Sequence, residues 1–397
     1  MNRREFITTC AASAAMAATS LPLLADDAKP PPLPDYRKFL PLRSRVTIPD
    51  WAKNEIATAL NRYKTWKGDD MTVAFPLITD VHSKSHDFPK DFSFADSKMH
   101  TLLAQIAAEE ANADFIADLG DIDLDIGVPI TKDWPPKFRN CTAEELMHRV
   151  AVQQALYAEA KLPVLFAVGN HDHSKSRFSS AEFGSAFNVT VNNDKGFKLN
   201  LCPTGDYGYY DMTTKKTRAI FLNTSDEGYY GYSIAQLNFF VNALAALPAD
   251  WTAVVVQHFC IQTVIGHWVS FPDTKAKRQE IAIKIMEDFV AAKSGETEGI
   301  KWNFAIDGKR WLAGCLCGDS HFDNYLKSNE VDYTISQGYG GIRDADMIPG
   351  AYKTAYFDRA KQMLVDFVAI KPAKHEVKIF RIGMGGAERD RQYQYGV

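Results

Sequence analysis

The chain has 397 residues, 46% hydrophobic and 24% charged, which excludes a peptide hormone, a disulfide miniprotein, a collagen-like chain and an intrinsically disordered one. Its 45 basic and 49 acidic side chains leave a net charge of -4, so binding nucleic acid through bulk positive charge is excluded and any phosphate site is local.

Residues 1–25 combine a basic start, a run rich in Ala, Ser and Thr, and Ala25 before Asp26-Asp27, the pattern of an export signal. Arg3-Arg4 followed by Glu5, Phe6 and Ile7 resembles the bacterial twin-arginine type, whose route carries folded proteins; the competing reading is an amphipathic or buried terminal helix. Removing the segment takes away two Arg and one Glu, so the net charge becomes -4 - 1 = -5. No other stretch of 18 apolar residues follows, so the expectation is a periplasmic or secreted protein with no membrane span once the signal is gone. Residues 26–70 read as a Pro-rich linker and a helical arm, with Asp50 capping a helix through Trp51, Ile56, Leu60 and Tyr63 that ends at Gly68. From 71 to 397 one catalytic domain is expected. It opens with strands at 71–79, 113–120 and 163–169 separated by helices at 97–111 and 142–160. Strands at 207–212, 217–223 and 251–257 follow, with helices at 233–247 and 275–292, and then mostly strands. An α/β first part and a β-rich second part predict two mixed sheets packed together with helices outside, a four-layer α/β/β/α sandwich.

Polar residues suited to chemistry gather after the strands. Asp80-Val-His82 follows the first, Gly120-Asp121 the second, and Gly169-Asn170-His171-Asp172 the third. His258 ends a later strand, and Gly318-Asp319-Ser320-His321 follows the run Trp311 to Cys317. The C-terminal edge of an open α/β sheet is where ligands bind, and Asp, His and Asn suit borderline and hard divalent cations without thiolate. Singly each motif is an ordinary turn, surface loop or buried imidazole; Gly-Asn-His-Asp is the most specific.

The ordered set resembles the calcineurin-like metallophosphoesterases from about Met71 to at least Ile335. That resemblance implies two divalent metal ions, Mn²⁺, Fe²⁺ or Zn²⁺, with Asp80, His82 and His321 on the first, Asn170 and His258 on the second, and Asp121 shared. It implies hydrolysis of phosphate mono- or diesters by a hydroxide bridging the two ions, on a small phosphate ester and not a nucleic-acid scaffold. His171 is then the candidate proton donor to the leaving group, and Asp172 is expected to orient its imidazole, with a helix N-cap as the other role for Asp172.

One position departs from the family, which usually ends in Gly-His-x-His, whereas Asp319 stands here in place of the first His. Two readings stay open: Asp319 is a ligand that shifts preference toward harder ions, or it turns away and leaves a weak or inactive binding protein. An amidohydrolase is disfavoured because a His-x-His pair near the first strand is missing. His267 is a substitute-ligand candidate or a pocket-wall residue. His86, His173, Lys175 and Arg177 are substrate contacts or solvated loop charges. Loops 83–95 and 122–141, with Phe88, Phe92 and Trp134, are expected to wall the pocket, and Gly338-Tyr339-Gly340-Gly341 reads as a turn. Besides Cys10, the five cysteines at 141, 202, 260, 315 and 317 leave buried thiols, a disulfide and a zinc site all open.

Overall fold

The computed structural model describes residues 33–81, 94–122, 143–173, 179–262, 276–305, 309–321, 323–336, 338 and 364–396, with backbone alone for 94–99 and 143–146. The expected export signal, His82, His86, Lys175, Arg177, His267, Cys141 and nearly all of the two long loops, 83–93 and 123–141, therefore lie outside the described residues. The main elements in chain order are α1 (Asp50–Lys67), β1 (Val73–Ile78), α2 (Phe94–Ala111), β2 (Ile116–Asp118), α3 (Ala143–Ala158), β3 (Val164–Phe166), α4 (Ser180–Ser185), β4 (Asn200–Leu201), β5 (Gly208–Met212), β6 (Thr217–Leu222), α5 (Ile234–Ala245), β7 (Thr252–Gln257), α6 (Gln279–Val290), β8 (Ser294–Thr297), β9 (Ile300–Asn303), β10 (Trp311–Cys317), β11 (Asn324–Ser328), β12 (Val331–Ile335), β13 (Leu364–Lys371), β14 (Glu376–Gly383) and β15 (Arg391–Gln394).

Two large mixed sheets carry the architecture. The first runs β15, β14, β13, β1, β2, β3, and the second β11, β12, β10, β7, β6, β5, β4; β8 and β9 form a separate hairpin. Within the first sheet β1, β2 and β3 are parallel, while β13 lies antiparallel to β1 with Val73 opposite Ile370. In the second, β6, β7, β10 and β12 are parallel. The period-2 alternation of strand side chains splits the apolar residues into layers. Val73, Phe75 and Leu77 of β1 face inward with Phe221, Val254, Val256 and Leu316 of the second sheet, forming the core between the sheets. Ala74 and Ile78 face outward to the helical residues Ile56, Leu60, Leu103, Ala107 and Val150. On the opposite outer face Ile220, Val255 and Cys315 pack with Leu237, Phe240, Ile285 and Phe289. The result is the expected four-layer sandwich.

Local details differ from the pattern reading. The strands are shorter than their apolar runs, although cross-strand bonds continue just past them: Leu119 N–H donates to the Ile78 carbonyl at 2.9 Å and Ala167 N–H to the Asp118 carbonyl at 2.8 Å. Asp50 does not cap α1: Pro49 holds the N-cap position without a side-chain bond, and Asp50, in the first turn, pairs with Lys53 at 3.1 Å. Its charge still opposes the helix dipole there. Cys202, Cys260, Cys315 and Cys317 are buried free thiols, and the 3.7 Å between the Sγ atoms of Cys315 and Cys317 reflects a shared side of β10. No described helix is long and apolar enough to cross a membrane.

A buried ionic cluster ties the last three strands to the loop after β10. The fully buried guanidinium of Arg381 in β14 donates to Asp366 Oδ1 at 2.8 Å through Nε and to Asp323 Oδ1 at 2.6 Å through Nη2. Arg389 and Arg391 also reach Asp323, at 3.4 and 3.3 Å. Asp323 lies two residues after His321, so the C-terminal strands fix the end of that loop.

Candidate metal centre

Every described residue of the sequence-derived set sits just past a strand's C-terminal end. Asp80 follows β1, Asp121 follows β2, Asn170 to Asp172 follow β3, His258 follows β7, and Asp319 and His321 follow β10. The first three segments come from one sheet and the last two from the other, so the loops meet over the edge common to both.

Tight turns make the convergence. Asp80, Asp121, Asp319 and His321 all have left-handed backbones, with φ of 52°, 57°, 63° and 57°. Such positions cost L-residues about 1 kcal/mol or more each, and short polar side chains tolerate them best. Glycines give the carboxylates room. A Cβ on Gly169 would stand 2.1 Å from Asp121 Oδ1, one on Gly318 2.8 Å from Asp80 Oδ2, and one on Gly338 2.2 Å from Asp80 Cβ.

The buried side chains of Asp80, Asp121 and His258 each offer a ligand atom within 4.8 Å of the others. His258 is aimed by its far nitrogen: Nδ1 lies 2.7 Å from the Leu119 carbonyl oxygen, to which it donates, so Nε2 faces the cluster. That Nε2 lies 2.9 Å from Asn170 Oδ1, 3.4 Å from Asp121 Oδ2 and 3.5 Å from Asp319 Oδ1. On the other side, His321 Nε2 lies 3.1 Å from Asp80 Oδ1. Asp80 Oδ2 accepts from the Thr79 hydroxyl at 2.6 Å and the Asp319 backbone N–H at 2.9 Å, the second bond crossing between the sheets.

The electrostatics are those of a cation site. Burial pulls His258 down, yet Asp121, Asp319 and Asp80 outweigh it and hold the imidazole well above its usual range. Burial and then Asp80 act in the same opposed way on His321, again with a net rise. Burial raises Asp80, but His321 and His258 bring it below the usual carboxylate range. Burial, reinforced by Asp121, pushes Asp172 well up. Oxygen and nitrogen donors without thiolate, packed around excess buried negative charge, fit divalent cations.

The role expected of Asp172 is corrected. Its Oδ2 accepts from the backbone N–H groups of Gly169 and Asp121, each at 2.8 Å, and its Oδ1 from that of Ile122 at 2.9 Å. The carboxylate is engaged by backbone and ties the loops after β2 and β3 together, leaving the His171 ring to other contacts; it caps no described helix either. His171 is half-buried, its backbone N–H donates to Asp121 Oδ1 at 2.8 Å, and its Nε2 lies 4.0 Å from Asp121 Oδ2. His173 is mostly buried, with its imidazole pushed below its usual range by burial. Asp319, whose orientation the sequence left open, turns inward, and its Oδ1 also accepts from the Tyr230 hydroxyl at 2.9 Å. Tyr230 and Thr79 are partners that no motif flagged. The Gly-Tyr-Gly-Gly run had signalled a turn, and of it only Gly338 is described, packed on Asp80.

No protein-family model matches the chain, and no curated protein does. Solved structures do. A dimetal phosphatase from Danio rerio superposes with a TM-score of 0.52 at 12% identity, covering 81% of this chain and 99% of that one. A structure of PhoD gives 0.41 at 12% identity over 81% and 68% of the two chains. The purple acid phosphatase from yellow lupin (Lupinus luteus) seeds gives 0.43 at 11%, over 81% and 53%. At these identities the likeness to the zebrafish phosphatase establishes a shared fold: this chain has a metallophosphatase-like sandwich with a buried Asp-Asp-His cluster at its strand ends.

Proposed function

We propose that this chain is an exported, metal-dependent phosphoesterase that hydrolyses small phosphate mono- or diesters. The observation that carries the reading is the convergence of Asp80, Asp121 and His258, from strand ends of both sheets, to within 4.8 Å. In this reading Asp80, His82 and His321 would hold one divalent ion and Asn170, His258 and Asp319 a second, with Asp121 available to both. The Asp319 carboxylate adds a hard oxygen donor and favours Mn²⁺ or Mg²⁺ over Zn²⁺. Two cations there would neutralise phosphate oxygens and acidify a water enough for attack at neutral pH.

The remaining steps belong to the chain's own groups. His171, at the solvent side of Asp121, is the candidate to protonate the departing oxygen, with its backbone pinned by the bond to Asp121 Oδ1. Asp172 holds that segment through the backbone and is a positioning residue. Residues 1–25 enter the proposal as the export signal on their sequence alone.

The test is direct. The chain without residues 1–25 is stripped with chelator, reloaded with Mn²⁺ and assayed with p-nitrophenyl phosphate and bis-p-nitrophenyl phosphate, with bound metal counted by elemental analysis. Release of p-nitrophenol that disappears with chelator and returns with metal is expected. Two bound ions and no release from either substrate would replace the enzyme with a metal-dependent binding protein.

A further inference from the structure

An aromatic ladder runs from the second sheet to the rim of the candidate site. Phe259, the residue after His258, packs against Tyr230 with ring centroids 4.2 Å apart. Tyr230 meets Tyr229 edge-on at 4.8 Å, and Tyr229 meets the His171 ring edge-on at 6.4 Å. Its inner rungs are fixed: Tyr230 donates to Asp319 Oδ1, and Phe259 N–H donates to Thr224 Oγ1 at 3.1 Å. The outer rung is open, since Tyr229 is 51% exposed, one of four large hydrophobic residues in that condition among those described.

Exposed single aromatics are common; the setting of this one is not. Its ring stands edge-on both to Tyr230, whose hydroxyl is held by Asp319, and to His171, so it is seated at the rim of the cluster while much of its surface faces solvent. The loop beneath it is closed by Gly231 N–H donating to the Thr224 carbonyl at 2.6 Å and Ser225 Oγ donating to the Tyr229 carbonyl at 3.1 Å. Glu227 adds ion pairs with Lys277 and Arg278. A ring held this firmly loses little freedom when a ligand packs on it, which is the condition under which an aromatic contact contributes most.

Resting on the phosphoesterase reading, we propose that Tyr229 is a specificity residue, its ring packing against the alcohol part of the substrate. The substrate class is then phosphate esters with a planar unsaturated ring close to phosphorus. The position follows from His171: the group that protonates the departing oxygen lies beside that oxygen, and Tyr229 is the exposed apolar surface next to His171.

Binding, and not turnover, tests this. Phenylphosphonate and methylphosphonate share an anionic head and have no ester bond to cleave, so calorimetric titration of each into the Mn²⁺-loaded protein isolates the contact. A preference for the phenyl compound of roughly three- to tenfold is expected, the size of an added aromatic contact. Tyr229→Ala should bring the two affinities within about twofold, with unchanged metal content, and Tyr229→Phe should keep the preference. Equal affinities in the wild type, no binding of either compound, a preference surviving Tyr229→Ala, or one lost in Tyr229→Phe would each overturn the inference. A wild type that hydrolyses p-nitrophenyl phosphate without the phenyl preference sinks this inference alone. One that shows the preference but hydrolyses no ester sinks the enzyme and leaves the contact standing.

Discussion

Gly169→Ala would add one methyl group where the loops after β2 and β3 touch. The new Cβ would lie 2.1 Å from Asp121 Oδ1 and 2.5 Å from Asp121 N, against an ordinary contact of 3.4 Å, so 3.4 − 2.1, about 1.3 Å, must be found by movement. Asp121 has little freedom to supply it: its Oδ1 accepts from His171 N–H and its own N–H donates to Asp172 Oδ2, each at 2.8 Å. Gly169 is not in the left-handed region, so alanine brings no backbone strain of its own and the effect is positional. Ligand atoms must sit within about 0.2 Å of their ideal distances, and disturbed surroundings of a ligand typically cost roughly 10–100-fold in metal affinity. The expected outcome is a chain that keeps its sheets, loses about 1–3 kcal/mol from overpacking, and binds Mn²⁺ at least about tenfold more weakly. Calorimetric titration of chelator-stripped protein gives the affinity, and urea unfolding gives the stability. A dissociation constant within about twofold of wild type would refute the claim that Asp121 holds a cation where it stands.

His171→Ala should lower turnover by roughly 100- to 10,000-fold with bound metal unchanged, as elemental analysis would verify; metal loss would make it a ligand instead. Asp118 is buried in β2 and pushed up to about 7 by burial, while the Tyr157 hydroxyl and Gly120 N–H donate to it. The folded state binds this proton more tightly than the unfolded chain, so its contribution is full below about pH 4 and is lost as pH rises to about 7. Asp118→Asn should remove that slope and stabilise the metal-free chain by up to about 4 kcal/mol at pH 8, read from urea unfolding at a series of pH values. Arg381→Met should cost about 3–5 kcal/mol by stranding Asp366 and Asp323, measured with chelator present; a loss under about 1 kcal/mol would mean that Arg389 and Arg391 suffice.

The strand-end motifs were legible because two local rules agree. Apolar runs of strand length mark where a strand stops, and the polar residues just beyond it share one edge of the sheet, so Asp80, Asp121, Asn170, His258, Asp319 and His321 could be grouped before any distance was known. The role of Asp172 was not legible, because adjacency to His171 suggests a side-chain contact, whereas the direction of the turn carries its carboxylate to three backbone N–H groups. The antiparallel addition of β13, β14 and β15 beside β1 was equally hidden, since pairing across some 300 residues leaves no periodic trace. Arg381 looks like an ordinary exposed position on a strand until Asp323 and Asp366 are seen to meet it. Gly338 looks like a turn residue until its missing Cβ proves to be the space that Asp80 fills.

The motifs are weak singly and strong together for a structural reason. Gly-Asp and Gly-Asn-His-Asp are halves of one knot: a Cβ on Gly120 would lie 2.3 Å from Gly169 N and 2.8 Å from Asp172 Oδ2, so each loop needs the other's glycine and carboxylate. A second level joins the sheets, through Asp319 N–H on Asp80 Oδ2 and His258 Nδ1 on the Leu119 carbonyl. Leu119 itself belongs to the core between the sheets, packed with Val256 and Leu316. The separation of the two halves of the site is therefore set by how closely that apolar layer packs. Leu119→Ala, remote in chemistry but not in mechanics, should weaken Mn²⁺ binding in calorimetric titration along with stability in urea, because the side chain removed seats in the core the same residue whose backbone carbonyl aims His258.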